Sequence, residues 1–541
     1  MFRNEVSFHE PAGFVCLENL GFFGISTNMV IYLTSILHES NASVATSVTT
    51  WAGTGYFVPF LGAVVADSYL GNYWTIFFSS LLYLAGMATV TLSALLQSLK
   101  PPPCDGNSCP SATGAQKLFF FFGLYLIAFG SGGVKSSLLP LGAHQFDEEN
   151  PAERVKQSSF FNWFYFCINV GALVSSTLIV WIQENVDWAL GFAICALCIA
   201  AALGVFLIGT PTYRVRESRG SPMKRILQVL VASFRKANLN LPADSSCLYE
   251  VQGNNSHSRG DQRLERTRDL RFLDKAAILS DLDFKDGGTG NCSRWRLCTI
   301  TQVEESKLLL RLFPIWVTGV VYSAGYSQMY TTFVEQGRSM DKKIGSFSIP
   351  PASLCAFEVL SVMFWVVLYN TVIRNIVLRY SRGGHGLSEL QRIGIGYVLM
   401  ILAIATAAVV EAKRLEGAHD DDNGKPISIL WQLPQFFIVG GSEVFCCIAQ
   451  LELFYDQGSD TMKSMSTAIS LLAISLGNYL SSLIVTVVNL ATTAGGRGWI
   501  PDDLDEGHLD YFFWLLVAVF VLNFVAYLAC ARRFTLRKTT K

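Results

Sequence analysis

Residues 117–140 read KLFFFFGLYLIAFGSGGVKSSLLP, an apolar run whose second lysine, Lys135, lies deep inside it. A helix of roughly 20 apolar residues spans the hydrocarbon core of a bilayer, so this stretch reads as a membrane crossing. Lipid offers no partner to free backbone groups, which leaves only helices and closed barrels as spanning structures. Lys135 is the informative residue. A charge at the bilayer centre costs roughly 2.5–3.5 kcal/mol on insertion scales, and such residues line a pathway or sit in a buried pair. Gly130, Gly132 and Gly133 precede it and allow a backbone or a ligand to come close.

Outward from this stretch the same pattern recurs. Spans are expected near 14–37, 48–69, 74–97, 117–140, 159–181 and 187–209, and after a polar interval near 307–334, 349–373, 391–412, 428–453, 465–489 and 510–531. The expectation is an all-α integral membrane protein of about twelve helices, with a bundle over 1–209, a linker over 210–306 and a bundle with a basic tail over 307–541. Two related halves around a central site is the layout of many secondary transporters.

Composition agrees. Of 541 residues 51% are hydrophobic and 15% charged, against about 25% charged in soluble domains. Forty-one basic and 42 acidic residues leave no basic excess for nucleic acid. The expected partners are the lipid bilayer and a small-molecule substrate. No Gly-rich phosphate loop with Lys-Ser/Thr, no HExxH and no nucleophile elbow occurs, and the seven histidines do not cluster. Neither an enzyme nor a cofactor is therefore expected. The 13 cysteines show no metal-ligand spacing. Those inside apolar runs (Cys167, Cys195, Cys446, Cys447) read as small core residues. Cys104 and Cys109 share the loop PPPCDGNSCPS, and a disulfide or two free thiols are both open there. The run from Phe14 to Leu37 is too long for a signal-peptide core and lacks a small-residue cleavage site.

The basic tail (Arg532, Arg533, Arg537, Lys538) and the basic loop Arg374–Arg382 place both termini in the cytoplasm. The outer loop with Arg338, Lys342 and Lys343 runs against that rule. The orientation puts HESNASVAT outside, making Asn41 a candidate glycosylation acceptor. The sequons at Asn254 and Asn291 face the cytoplasm. In the linker, SPMKRILQVLVASFRKANL carries Ile226, Leu227, Leu230 and Phe234 at helical spacing, predicting an amphipathic helix on the bundle or membrane surface.

Three further intramembrane charges join Lys135: Glu443, Glu358 and Glu18. Each lines a pathway, pairs structurally, or marks a misjudged helix end. One basic and one acidic site in opposite halves suits a zwitterion, or an anion with a proton. Pro434 with Gly440 and Gly441 interrupts the helix of Glu443, and Pro314, Gly319 and Gly325 interrupt the seventh helix. Tyr32, Tyr56, Tyr165, Tyr322 and Tyr326 serve either packing or a binding site. Tyr165 and Tyr326 lie too deep for an interfacial belt.

These residues resemble a known family. FNWFYFCINVGAL is similar to its FYxxINxG signature, with Phe164, Tyr165, Ile168, Asn169 and Gly171 in place. GAVVADSYLGNYW resembles the loop motif between helices 2 and 3, with Gly62, Asp67 and Gly71. With GSGGVKSSLLPLGAHQFD, WQLPQFFIVGGSEVF and FYDQGSDTMKS, the match covers nearly the whole chain. The sequence resembles the plant nitrate/peptide transporter (NPF) branch of the proton-dependent oligopeptide transporters, in the major facilitator superfamily. The segments ASFRKANLNLP, LDKAAILS and WRLCTITQVEE are most like the di- and tripeptide carriers.

The resemblance implies a cavity between two six-helix bundles that opens alternately to each side, in the plasma membrane or, alternatively, the vacuolar membrane. Lys135 is then expected to bind the substrate carboxylate and Glu443 its amino group. Tyr32, Tyr56, Asn169, Tyr326 and Gln328 are expected around the same pocket, and Glu18, Lys135 and Glu443 in proton coupling.

Two departures stand out. The family's ExxER motif reads Val15-Cys16-Leu17-Glu18-Asn19, so its first Glu and its Arg are missing, which leaves room for facilitated diffusion or export. Tyr326 stands where the family's nitrate carrier has a histidine, and a phenol cannot take up a proton to pair with nitrate. Asn72 replaces a basic residue usual in the helix 2–3 loop, and Thr75 matches a regulatory phosphorylation position. The rival readings are a carrier of nitrate, a hormone or a specialised metabolite, and a non-transporting receptor on the same fold.

Overall fold

The computed structural model describes residues 9–102, 110–143, 145, 163, 164, 166–213, 222–241, 248, 249, 267, 269–279, 293, 295–345, 347–380, 387–419, 426–457, 463–493 and 498–534. Cys104, Cys109, Tyr165, Asn254, Asn291, Arg537 and Lys538 lie outside these residues.

Eleven helical segments among the described residues are long and apolar enough to cross a bilayer. One, Asn41–Leu95, has 55 residues; at 1.5 Å per residue that is about 80 Å, far more than one crossing. It turns at Gly71, whose φ of 73° is a conformation glycine adopts without strain. Counting it as two crossings gives the twelve expected from the sequence.

The first half begins with α1 (His9–Ser26) and α2 (Met29–Ser35), one crossing broken at Thr27 and Asn28. It continues through α3 (Asn41–Val65), α4 (Gly71–Leu95), α5 (Gly114–Ala143), α6 (Phe166–Asn185) and α7 (Trp188–Gly209). The linker holds α8 (Pro222–Arg235). The second half comprises α9 (Ile300–Tyr326), α10 (Thr332–Arg338), α11 (Leu354–Leu368), α12 (Glu389–Ala418), α13 (Leu433–Gln457), α14 (Lys463–Thr493) and α15 (Leu509–Arg533).

The halves are knit together at the end opposite the linker. Ala42 and Ala45 of α3 are buried in the core of the second half, while Val334 and Ala352 are buried in that of the first. This explains why α3 starts seven residues before the span expected at 48, at Asn41. Its polar first turns pack on protein rather than lipid. Ser40 caps the helix, its hydroxyl accepting from the Ser43 amide.

The linker is more than a tether. Val229, Ala232, Leu273, Ala276, Ala277, Cys298 and Val303 form a small core of their own. Burial there pushes the Cys298 thiol up to about 11. Helix α9 starts at a Thr299–Gln302 capping box and projects into this module. The side chain of Lys307 is wholly buried, its Nζ 2.5 Å from Asp274 and 2.7 Å from Glu304. Glu304 in turn accepts from the Thr267 amide at 3.0 Å and its hydroxyl at 2.7 Å.

The linker helix is where expected, and its two faces divide. Val229, Ala232 and Ser233 are buried, whereas Leu227, Leu230 and Phe234 are 46%, 38% and 84% exposed. Small side chains let α8 lie close to the 271–277 segment, and the bulky stripe points away.

Candidate functional site between the two halves

A cavity of about 720 Å³ lies between the halves. The first half contributes Phe22 and Ser26 of α1, Thr49, Trp51 and Tyr56 of α3, and Asn169 of α6. From the second come Tyr322 and Tyr326 of α9, Val362 and Val366 of α11, Glu443, Cys447 and Leu451 of α13, and Asn478 of α14. The wall is mostly apolar and aromatic with a few converging polar groups, the common make-up of a small-molecule site.

The acidic group is held from one side. The Tyr326 hydroxyl donates to Glu443 Oε2 at 3.0 Å. One position earlier, Ser442 donates to the Gly396 carbonyl at 2.7 Å and lies 3.0 Å from the Tyr322 hydroxyl. Tyr322 stacks on Tyr397 with centroids 5.4 Å apart. These contacts fix the turn of α13 that presents Glu443.

The basic group lies just behind the opposite wall. Lys135 Nζ sits 3.2 Å from the centroid of the Phe22 ring and 5.9 Å from that of Tyr56, two residues that face the cavity. Such contacts hold an ammonium against an aromatic face. Glu18, one turn before Phe22, is buried and close enough to attract Lys135. Its Oε1 has no hydrogen-bond partner among the described residues.

Beside the cavity α3 and α14 close on each other. Thr54 and Tyr479 hydroxyls lie 2.9 Å apart, Thr50 and Ser482 hydroxyls 3.0 Å, and Ser475 donates to the Gly53 carbonyl at 2.7 Å. Farther out, Asn41 donates to the carbonyls of Pro501 and Asp502 at 3.0 and 3.2 Å and accepts from Arg338 at 3.4 Å.

Of the residues expected at the pocket, Tyr56, Asn169, Tyr326 and Glu443 line the cavity. Two do not. Tyr32 is buried within the first half among Phe120, Trp188 and Phe192, each with its centroid 5.1 Å away. Gln328 is buried with its amide committed: Nε2 donates to the Ala324 carbonyl at 2.9 Å and to Ser481 at 2.8 Å, and Oε1 accepts from Thr332 at 3.0 Å.

The glycine positions pack helices together. A Cβ on Gly62 would meet the Ser136 hydroxyl at 2.6 Å, and one on Gly171 would meet the Cys16 carbonyl at 3.0 Å. Phe164 packs with Phe14 and Phe206, and the Asp67 side chain lies outside the described ones. Val15 is buried in that cluster, and Asn19 donates back to the Val15 carbonyl at 2.9 Å. Thr75 is buried with its hydroxyl on the Gly71 carbonyl at 2.8 Å. Asn41 is buried and its amide engaged, which corrects the expectation of a glycan acceptor.

Sequence reasoning missed Trp51, Asn478 and Cys447 on the wall. An amide in an apolar span was a usable signal for Asn478. Nothing in the sequence separated Trp51 and Cys447 from packing residues.

A family model described as "POT family" matches residues 73–500. The chain belongs to the POT family. Within it, this transporter is 51% identical to Protein NRT1/ PTR FAMILY 8.3 of Arabidopsis thaliana, over 97% of this chain and 90% of the relative. It is 49% identical to Protein NRT1/ PTR FAMILY 8.5 of the same plant, over 97% and 88%. A crystal structure of an auto inhibited POT family peptide transporter superposes with a TM-score of 0.73 at 20% identity, covering 99% of this chain and 98% of that one. The chain is thus a multi-pass integral membrane transporter of the NPF type with the major facilitator fold.

Proposed function

We propose that this POT transporter carries small peptides, or similar solutes with an ammonium and a carboxylate end, by alternating access. One observation carries the reading: an acid on the second half, Glu443, and a base behind the wall of the first, Lys135, flank a single cavity. A zwitterion lying across the cavity would touch both halves at once. The cavity volume of about 720 Å³ falls within the roughly 300–1,000 Å³ range of small-molecule sites. The Asn41 contacts to Pro501 and Asp502, at the end opposite the linker, correspond to a state shut toward the outside.

Proton coupling belongs to this proposal, with Glu18, Lys135 and Glu443 as carriers. Val15 and Asn19 bring no charge to it, so coupling runs without an arginine at position 19. The plasma membrane is the proposed location, the vacuolar membrane the alternative.

A second reading has an observation of its own. Val362, Met363, Val366, Val367, Ile448 and Leu451 make the linker side of the cavity apolar. That wall favours a larger organic anion, such as a hormone or a specialised metabolite, carried without a proton.

The test is uptake of a labelled dipeptide by oocytes at acidic and neutral pH, with nitrate alongside. Acid-stimulated dipeptide uptake supports the proposal. Surface-expressed protein that moves no dipeptide refutes it and turns attention to organic anions, measured as efflux as well as uptake.

A further inference from the structure

Behind Glu443, off the cavity wall, lies a second carboxyl. Glu358 of α11 is buried, 3% exposed, and its carboxyl is within hydrogen-bond reach of Glu443. Its Oε1 has no hydrogen-bond partner among the described residues. The approach is built into the helices. Ser361 and Trp365 of α11 both donate to the Phe437 carbonyl of α13, at 2.8 and 3.1 Å. A Cβ on Gly440 would lie 2.7 Å from the Ser361 hydroxyl, so only glycine lets the two helices meet this closely.

The titratable groups around Glu358 are Glu443 and Cys447 from α13, Tyr326 and Tyr330 from α9 and the turn after it, and Cys355 from its own helix. None of these residues is a lysine or arginine. Two ionised carboxylates so placed repel strongly in a low-dielectric interior, and one proton between them turns the repulsion into a strong O–H···O⁻ bond.

We propose that Glu358 is the proton-holding partner of Glu443, the two carboxyls sharing one proton while the cavity is empty. When a substrate ammonium arrives, Glu443 meets it as a carboxylate. The O–H bond on Glu443 breaks and one forms on Glu358, so the pair keeps its single proton and its single negative charge. Glu358 touches no substrate; it positions the proton. The inference rests on the reading of Glu443 as the ammonium site, and it gives the second half a proton store that owes nothing to the helix-1 motif.

The test has two arms on purified full-length protein. Infrared spectra at neutral pH read the carboxylic-acid C=O stretch without any substrate. The band is expected in the unaltered chain, lost in Glu358→Gln, shifted in Glu443→Gln as the charged hydrogen-bond partner goes, and retained in Glu358→Asp. In proteoliposomes, Glu358→Gln is expected to keep dipeptide exchange but lose the roughly tenfold response per pH unit that one titrating group confers. Persistence of both the band and the pH response in Glu358→Gln overturns the proposal. A dipeptide that neither exchanges nor disturbs the band in the unaltered chain refutes the peptide reading instead, while the band's response to Glu358→Gln still decides whether the pair exists. Monodisperse elution of each variant, with Glu358→Asp as the conservative control, separates these outcomes from misfolding.

Discussion

The Tyr326 hydroxyl reaches Oε2 of Glu443 across 3.0 Å, tying α9 to α13 at the point where the cavity presents its acid. This phenol orients the carboxylate without taking its charge. Removing it in Tyr326→Phe leaves a charged acceptor short of one donor, an interaction worth about 1.5–3 kcal/mol. The expected result is a KM for dipeptide raised about tenfold or more, with a smaller change in kcat, read from uptake kinetics.

Glu443→Gln keeps the shape of the site and loses its charge. Dipeptides with a free amino terminus should lose uptake far more than N-acetylated ones. Equal losses for the two would show that Glu443 serves the structure or the proton alone.

Lys135→Ala removes the only basic group placed against Phe22 and Tyr56 among the described residues. Uptake should fall to background while surface labelling stays normal. Flux at the unaltered level would exclude Lys135 from the pathway.

At the end opposite the linker, Asn41 links α3 to the Pro501–Asp502 segment and to Arg338. Asn41→Ala removes these bonds at once and should favour the outward-open state. A cysteine introduced at Thr54 should then react faster with a membrane-impermeant reagent from outside. The same burial predicts that glycosidase leaves the mass of the unaltered chain unchanged at this sequon.

Lys307→Met leaves Asp274 and Glu304 buried without their cation. Breaking a buried pair in this way costs about 3–5 kcal/mol, so the thermal midpoint should drop clearly. Cys298, protonated at neutral pH with its thiol at about 11, should become accessible to maleimide as the linker core loosens. Peptide-resolved mass spectrometry reads both the protected and the opened state.

The crossings were legible because lipid imposes one constraint on every span, and a run such as 117–140 can meet it in only one way. Lys135 and Glu443 were legible for the same reason, since a charge in such a run is costly. What the sequence hid was which side of a helix faces which neighbour. Tyr32 and Tyr56 are both tyrosines in apolar spans, yet one is enclosed by Phe120, Trp188 and Phe192 while the other faces the cavity. Gln328 looked like a ligand group because one of its partners, Ser481, is distant in sequence. On α8, helical spacing marked the bulky stripe, while the small residues Val229 and Ala232 that meet the linker core carried no such mark.

The seventh crossing is fastened at both ends. Its start is locked into the linker by Lys307, Asp274 and Glu304, and beyond the break at Ser327–Tyr330 its far segment meets the first half through Arg338. A rod clamped at its foot and tethered at its tip bends where it is jointed. That joint follows directly after Tyr326, so the parting of the outer contacts pulls on the very phenol that steadies Glu443. Gate and binding site are then mechanically in series, and substrate grip is expected to slacken whenever the outer end opens.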